Sequence, residues 1–199
     1  MKKVVLALFL SGVAVFGCYD STSQFTRVML FVGQPAATVD TLHIAVFAIA
    51  PTPETVIMKT SVPASSLVPL VIPSTGIMYI TVWGVYTGRG GPYATHYGAS
   101  VPIILNGQDF TAIPMEMIEF KNAFNEIYNT TTYDERWNYI YGATSYELRI
   151  NGTTGTYYYP GGNNFYNYGR SWIRVDHEAR CLTSIFGVPS EWSVITNPM

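Results

Sequence analysis

Catalysis needs side chains that exchange protons, attack carbon or hold metal, and this chain has few of them: 3 His and 2 Cys among 199 residues. Asp176-His177-Glu178 is the place where a His is flanked by two carboxylates. On a strand, Asp176 and Glu178 would share one face and His177 the other, so the three cannot converge on a metal ion without a turn. A solvated polar turn is the simpler reading. At helical spacing His177 would meet Cys181, whose neighbour Arg180 favours a thiolate, and this is the arrangement here with the form of a Cys–His nucleophile pair. No third, orienting group accompanies it, and a buried small hydrophobe is the simpler role for Cys181. His96 falls in an expected loop, Gly90 to Gly98, and His43 on an apolar strand as a core or edge residue. Glu119, Glu126, Asp134 and Glu135 could furnish the carboxylate pair of a glycosidase, but their spacing does not set two of them across a cleft. There is no Gly-x-Ser-x-Gly elbow, no phosphate loop and no His-Glu-x-x-His helix. No catalytic residue, metal site or cofactor is assigned, and an envelope hydrolase stands only as a distant alternative.

Contact chemistry is better represented. Between Thr156 and Arg170 run Tyr157, Tyr158, Tyr159, Phe165, Tyr166 and Tyr168, interleaved with Asn and Gly. Tyrosine combines a rigid apolar ring with a hydroxyl, while Asn and Gly adapt their hydrogen bonds, as in binding loops. Two roles fit: a surface on which a glycan or an envelope protein binds, or a hairpin whose alternate tyrosines cover a core poor in Leu and Val. Nucleic acid is not an expected partner, because 11 basic against 13 acidic residues leave a formal charge of −2 and no basic field.

The N-terminus decides where such a surface would be displayed. Lys2 and Lys3 precede an uncharged run from Val4 to Gly17, shorter than the ~20 residues a spanning helix takes. A basic start, an apolar run and a small residue before a cut site describe an export signal. Cys18 follows directly, and polar sequence, Asp20-Ser21-Thr22-Ser23-Gln24, comes next. Val15-Phe16-Gly17-Cys18 resembles the lipobox of bacterial lipoproteins, with Phe16 departing from the small residue usual at its position. The resemblance covers residues 1–18 and implies cleavage before Cys18, a thioether-linked diacylglycerol and an amide-linked acyl chain such as palmitate. It also implies sorting: Tyr19 stands where an Asp would retain the protein in the inner membrane, so the outer membrane or cell surface is open to it. Two or three acyl chains make a durable anchor. Cleavage would leave 182 residues (199 less 17) and a formal charge of −4 once Lys2 and Lys3 are gone. An ordinary secretory signal with an incidental thiol is the competing reading.

The elements that must hold these residues are mostly strands. From Phe25 to Met117, short runs rich in β-branched and aromatic residues alternate with turn signals. They are Phe25–Val32, Thr41–Ala50, Thr55–Val62, Val68–Ile72, an alternating strand after Gly76, Ala99–Leu105 and Phe110–Met117. In the alternating strand Met78, Ile80 and Val82 share one face and Tyr79, Thr81 and Trp83 the other. Asn106-Gly107 is a hairpin signal. Seven such strands predict a β-sandwich over 25–117, and their order loosely resembles the Ig-like and prealbumin-like domains of bacterial surface lipoproteins. Residues 118–199 hold 10 of the 15 Tyr. There the spacing of Phe120, Phe124, Ile127 and Tyr128 predicts a short helix over Glu119–Tyr128. A capping box at Thr132–Glu135 predicts a second helix bearing Trp137, Ile140 and Tyr141. Strands are expected at Tyr146–Asn151, Thr156–Tyr159, Ser171–Asp176 and Trp192–Thr196. The expected fold is mainly β: signal 1–17, tether 18–24, a seven-stranded Ig-like sandwich 25–117, and a small β-rich or α+β module 118–199. The expected function is a lipid-anchored cell-envelope protein with a non-enzymatic binding or assembly role, with membrane, envelope protein or glycan, and further copies of the chain as partners.

Overall fold

The computed structural model describes residues 9–10, 13–14, 25–33, 38–73, 75–107, 111–122, 134–136, 140–150, 153–158, 165–167 and 177–195. The strands, in chain order, are β1 (Phe9–Leu10), β2 (Val13–Ala14), β3 (Thr26–Val32), β4 (Thr41–Ala48), β5 (Val56–Pro63), β6 (Leu67–Ile72), β7 (Gly76–Tyr86), β8 (Tyr93–Ala99) and β9 (Ile103–Leu105). They continue with β10 (Thr111–Met115), β11 (Ile118–Glu119), β12 (Asp134–Arg136), β13 (Ala143–Ile150), β14 (Thr153–Tyr158), β15 (Phe165–Asn167), β16 (His177–Ser184) and β17 (Ser193–Ile195). The helical elements among the described residues are two single 3₁₀ turns, Pro53–Thr55 and Phe120–Asn122. The protein is mainly β.

Two sheets form a sandwich. The outer sheet has the order β10-β3-β6, and the central sheet β11-β8-β7-β4-β5, with β9 beside the start of β7. Alternation explains their contact: Val28, Leu30 and Val32 of β3 and Val68, Leu70 and Ile72 of β6 turn inward, meeting Leu42, Ile44 and Val46 of β4 and Met78, Ile80 and Val82 of β7. A period of two puts every second side chain on one face, so these strands can bury a face while keeping their ladders intact. β3 is antiparallel to β6 but parallel to β10, with Leu30 opposite Ile113. Gly98 on β8 sits under Glu116, whose carbonyl oxygen would lie 2.8 Å from an added Cβ, so this crossing requires glycine.

The other face of the central sheet is buried as well. Trp83, Val85, Ala94 and Tyr97 join Phe120, Ile140, Ala143, Tyr146, Ala179, Cys181 and Val188 in a second core. The last five belong to a four-stranded sheet, β14-β13-β16-β17, and the turns attached to it. β7 is thus covered on both faces from Ile80 to Val85, and the molecule has three layers. Polar anchors fix the third layer. Trp83 Nε1 donates to the Tyr141 carbonyl at 3.0 Å, and the Tyr141 amide donates to the Tyr97 hydroxyl at 3.1 Å. The Ala94 amide donates to the Pro189 carbonyl and the Glu191 amide to the Ala94 carbonyl, both at 2.8 Å. Gly142, at φ +93°, makes the tight turn that presents Tyr141.

Several local expectations change. Residues 93–98, expected as loop, lie in β8, because Tyr93 to Ala99 pair with β7 across a bulge. The expected strand Ala99–Leu105 shortens to β9 at Ile103–Leu105. Asn106-Gly107 closes no hairpin: β9 pairs with β7 and β10 with β3, so Gly107, at φ +78°, begins a crossing between sheets. Eight strands, β3 to β10, lie between residues 25 and 117 where seven were expected. The predicted second helix is replaced at Asp134–Arg136 by a strand paired with Phe165–Asn167, since distant pairing outweighs a local capping pattern. The first helix reduces to the Phe120–Asn122 turn within the described residues, and its continuation lies outside them. The expected strand Ser171–Asp176 also lies outside them, whereas β16 covers a segment expected as a polar turn.

Candidate functional site

The residues singled out for chemistry are held apart or occupied. His177 and Cys181 both lie on strand β16, where four residues span about 13 Å, so the helical proximity required for a Cys–His pair is absent. Cys181 is completely buried, burial pushes its thiol pKa well up, and its amide donates to Ser190 Oγ at 2.9 Å. A thiol so placed packs as a small apolar group and is poorly available as a thiolate. Asp176 lies outside the described residues. Glu178 pairs with Arg149 at 2.8 Å, and Glu147 with Arg180 at 2.6 Å, as cross-strand partners on the third layer. The guanidinium groups of Arg149 and Arg180 lie 4.1 and 4.6 Å from the Trp192 ring centre. These carboxylates and cations hold one another in a charged surface on that layer.

His43 faces the third layer, its ring 5.6 Å from Phe186, and burial holds its pKa below 6.5. His96 lines a polar groove of about 340 Å³ with Thr38, Tyr86, Tyr93, Thr95, Glu119, Lys121 and Glu191. Five segments build it: Thr38 precedes β4 and Tyr86 ends β7. β8 supplies Tyr93 to His96, β11 and the following turn supply Glu119 and Lys121, and the return from the third layer supplies Glu191. His96 Nδ1 lies 2.9 Å from Thr95 Oγ1, and burial outweighs the nearby Glu119 charge in lowering its pKa. The Lys121 hydrogen bond, a 2.5 Å ion pair, lowers the Glu119 pKa, while burial raises that of Glu191. The groove carries charges of both signs, with Lys121 paired to Glu119, and is a polar seam between layers. Among the described residues, no group of three or more His, Cys, Asp or Glu is placed to hold a metal ion.

The aromatic stretch is only partly described. Tyr157 and Tyr158 lie on β14, an edge strand of the third layer, with Tyr157 opposite Tyr146 in register. Phe165 and Tyr166 lie on β15, opposite Arg136 and Glu135. Tyr159 and Tyr168 fall outside the described residues, as does Cys18.

One surface was not anticipated. The outer sheet turns Met29, Phe31, Leu67, Pro69, Val71, Ala112 and Pro114 away from the core, all of them half-buried or exposed. Register makes them contiguous: Phe31 stands between Leu67 and Pro114, and Met29 between Pro69 and Ala112. Phe31 and Leu67 are 47% and 51% exposed, in contrast to the buried Leu30 and Val68 beside them. Arg27 is the charged residue of this face among the described residues. The two edge strands carry Pro69 and Pro114, which interrupt the donors that strand addition would need. The face, more than the edges, is therefore fitted for contact. The signal was in β6, Leu67-Val68-Pro69-Leu70-Val71-Ile72, which is apolar at every position and hence apolar on both faces.

No protein-family model and no curated protein matches the chain. A solved structure, that of the fimbrial anchor protein Mfa2 from Porphyromonas gingivalis, is similar to it over 85% of this chain and 82% of that chain, at 11% sequence identity and a TM-score of 0.38. A likeness of that depth carries no argument about activity, partner or location. Among the described residues no helix is long and apolar enough to cross a membrane.

Proposed function

We propose that this chain is a lipid-anchored cell-envelope protein that works by contact: acylated at Cys18, tethered through residues 18–24, and presenting a sandwich over 25–117 and a Tyr-rich module over 118–199. The observation that carries a contact role is the exposed apolar face of the outer sheet, a surface that soluble monomers seldom leave contiguous and bare. The anchor follows from Gly17-Cys18 at the end of the apolar run, and Tyr19, in place of a retaining Asp, leaves the outer membrane or cell surface open to the protein. Cys18→Ala tests the anchor. The variant is expected to accumulate as an unacylated precursor, with the mass of the acyl groups missing by mass spectrometry. Maturation and membrane partition identical to those of the unaltered chain would overturn this reading.

A further inference from the structure

We infer that the outer-sheet face formed by Met29, Phe31, Leu67, Pro69, Val71 and Pro114 lies against the lipid bilayer to which the chain is tethered. This rests on the anchoring reading and adds an orientation to it. Three observations support it. First, the tether enters this sheet directly: Cys18 precedes Phe25 by seven residues, and β3 starts at Thr26. Eight residues, from Cys18 to Thr26, reach at most about 29 Å when fully extended, so an acylated Cys18 keeps the start of β3 within that distance of the membrane.

Second, the face has the composition of an interfacial surface. Six apolar side chains lie on three adjacent strands, and Arg27 stands at the end of β3 where the tether enters, opposite Val71. A cation beside an apolar patch matches an anionic phosphate above acyl chains. None of β3, β6 and β10 contains an Asp or Glu, and the exposed Glu116 follows β10 at its far end. Third, the opposite side of the molecule has the reverse character, because the third layer carries the Arg149–Glu178 and Arg180–Glu147 pairs around Trp192. One side is apolar and adjoins the tether, while the other is charged. Apolar area removed from water on the first side adds to the energy of the acyl chains.

The full chain, expressed with its own signal and reconstituted in vesicles of phosphatidylethanolamine and phosphatidylglycerol, supports a direct test. An environment-sensitive fluorophore on Pro69→Cys is expected to gain several-fold in emission and to be shielded from aqueous iodide. The same fluorophore on Arg89→Cys, in the exposed loop between β7 and β8 of the central sheet, should show neither effect. Adding Phe31→Asp and Leu67→Asp should remove the gain while the acylated protein still floats with the vesicles. If that pair fails to fold, Phe31→Ser with Leu67→Ser serves instead. A Pro69 probe that stays water-exposed on floating protein overturns the docking and leaves the anchor standing. Emission that rises with protein concentration without vesicles also overturns it, assigning the face to a second copy. If mass spectrometry finds Cys18 unmodified, the anchor fails, yet a vesicle-dependent gain at high lipid would still support the docking.

Discussion

Both sheets of the sandwich turn Val, Leu, Ile and Met toward one another, but the surfaces they turn away differ in kind. Behind the central sheet, Trp83 is completely buried, with Phe120 and Phe186 rings 5.0 and 5.4 Å away. Behind the outer sheet, Phe31 and Leu67 stay exposed. Apolar character is common to both, so it alone did not recruit a covering layer. The covered face offers directional groups that fix a partner in one position: Trp83 Nε1 toward the Tyr141 carbonyl, the Tyr97 hydroxyl toward the Tyr141 amide, and the Ala94 backbone toward Pro189 and Glu191. A buried ring with a satisfied polar atom specifies a single arrangement. The outer face, built from aliphatic side chains, a phenyl ring and prolines, offers no such directional set and suits a partner without fixed geometry.

That contrast sets the expected size of perturbations. Trp83→Ala should cost about 3–5 kcal/mol, since it empties the centre of the second core and leaves the Tyr141 carbonyl without its indole donor. Chemical denaturation measures this loss, and a cost under about 1 kcal/mol would mean that the third layer is not packed against the central sheet as described.

A smaller effect is expected from acid. Burial lowers the pKa of both His43 and His96 from 6.5, so below about pH 6.5 the unfolded chain takes up protons before the folded one does. The unfolded state then binds more protons, and stability falls as pH drops from 6.5 to the folded-state values and is level above 6.5. Lys59 faces the cavity beside His43, while Glu119, Lys121 and Glu191 face His96. Glu191, whose pKa burial raises from 4.5, acts in the opposite sense at lower pH, because its folded form holds the proton longer. His96→Gln should flatten the slope just below pH 6.5 in thermal melts taken across that range. An unchanged slope would show that His96 is not desolvated between the layers.

The smallest effect belongs to the bare face. Phe31→Ser with Leu67→Ser should change the stability of the vesicle-free protein by no more than about 0.5 kcal/mol for each exposed site. A loss as large as that of Trp83→Ala would mean that this face is covered in solution and would end the contrast.

How far these faces were legible beforehand depends on the range of the interaction that makes them. The alternation after Gly76 places Met78, Ile80 and Val82 opposite Tyr79, Thr81 and Trp83, and β7 divides its side chains between the two cores in that way. Tyr93 to Gly98 read as loop because Gly90, Gly91 and Pro92 precede them and Gly98 closes the stretch. The strand forms because β7 is available on one side and the edge strand β11 on the other. A helical His177–Cys181 pair stood as an alternative to a polar turn and a buried thiol because no local feature distinguishes four residues of helix from four of strand. The β13 ladder, with Arg149 opposite Glu178 and Glu147 opposite Arg180, makes that choice. The outer apolar face had a local signal in β6, but apolarity on both faces of a strand predicts complete burial as readily as exposure.

From its residues alone the chain reads as mainly β, poor in catalytic constellations and bearing a basic start and apolar run over 1–17 that resemble an export signal. Period-two alternation, β-branched content and the unbroken apolar run are properties of neighbouring residues. Tertiary structure decided which strands pair, that β10 runs parallel to β3, that the third layer covers Trp83, and that Phe31, Leu67 and Pro69 form one uncovered surface. Those outcomes depend on partners tens of residues away, chosen by the packing of whole faces and by a few buried hydrogen bonds, which no local pattern encodes.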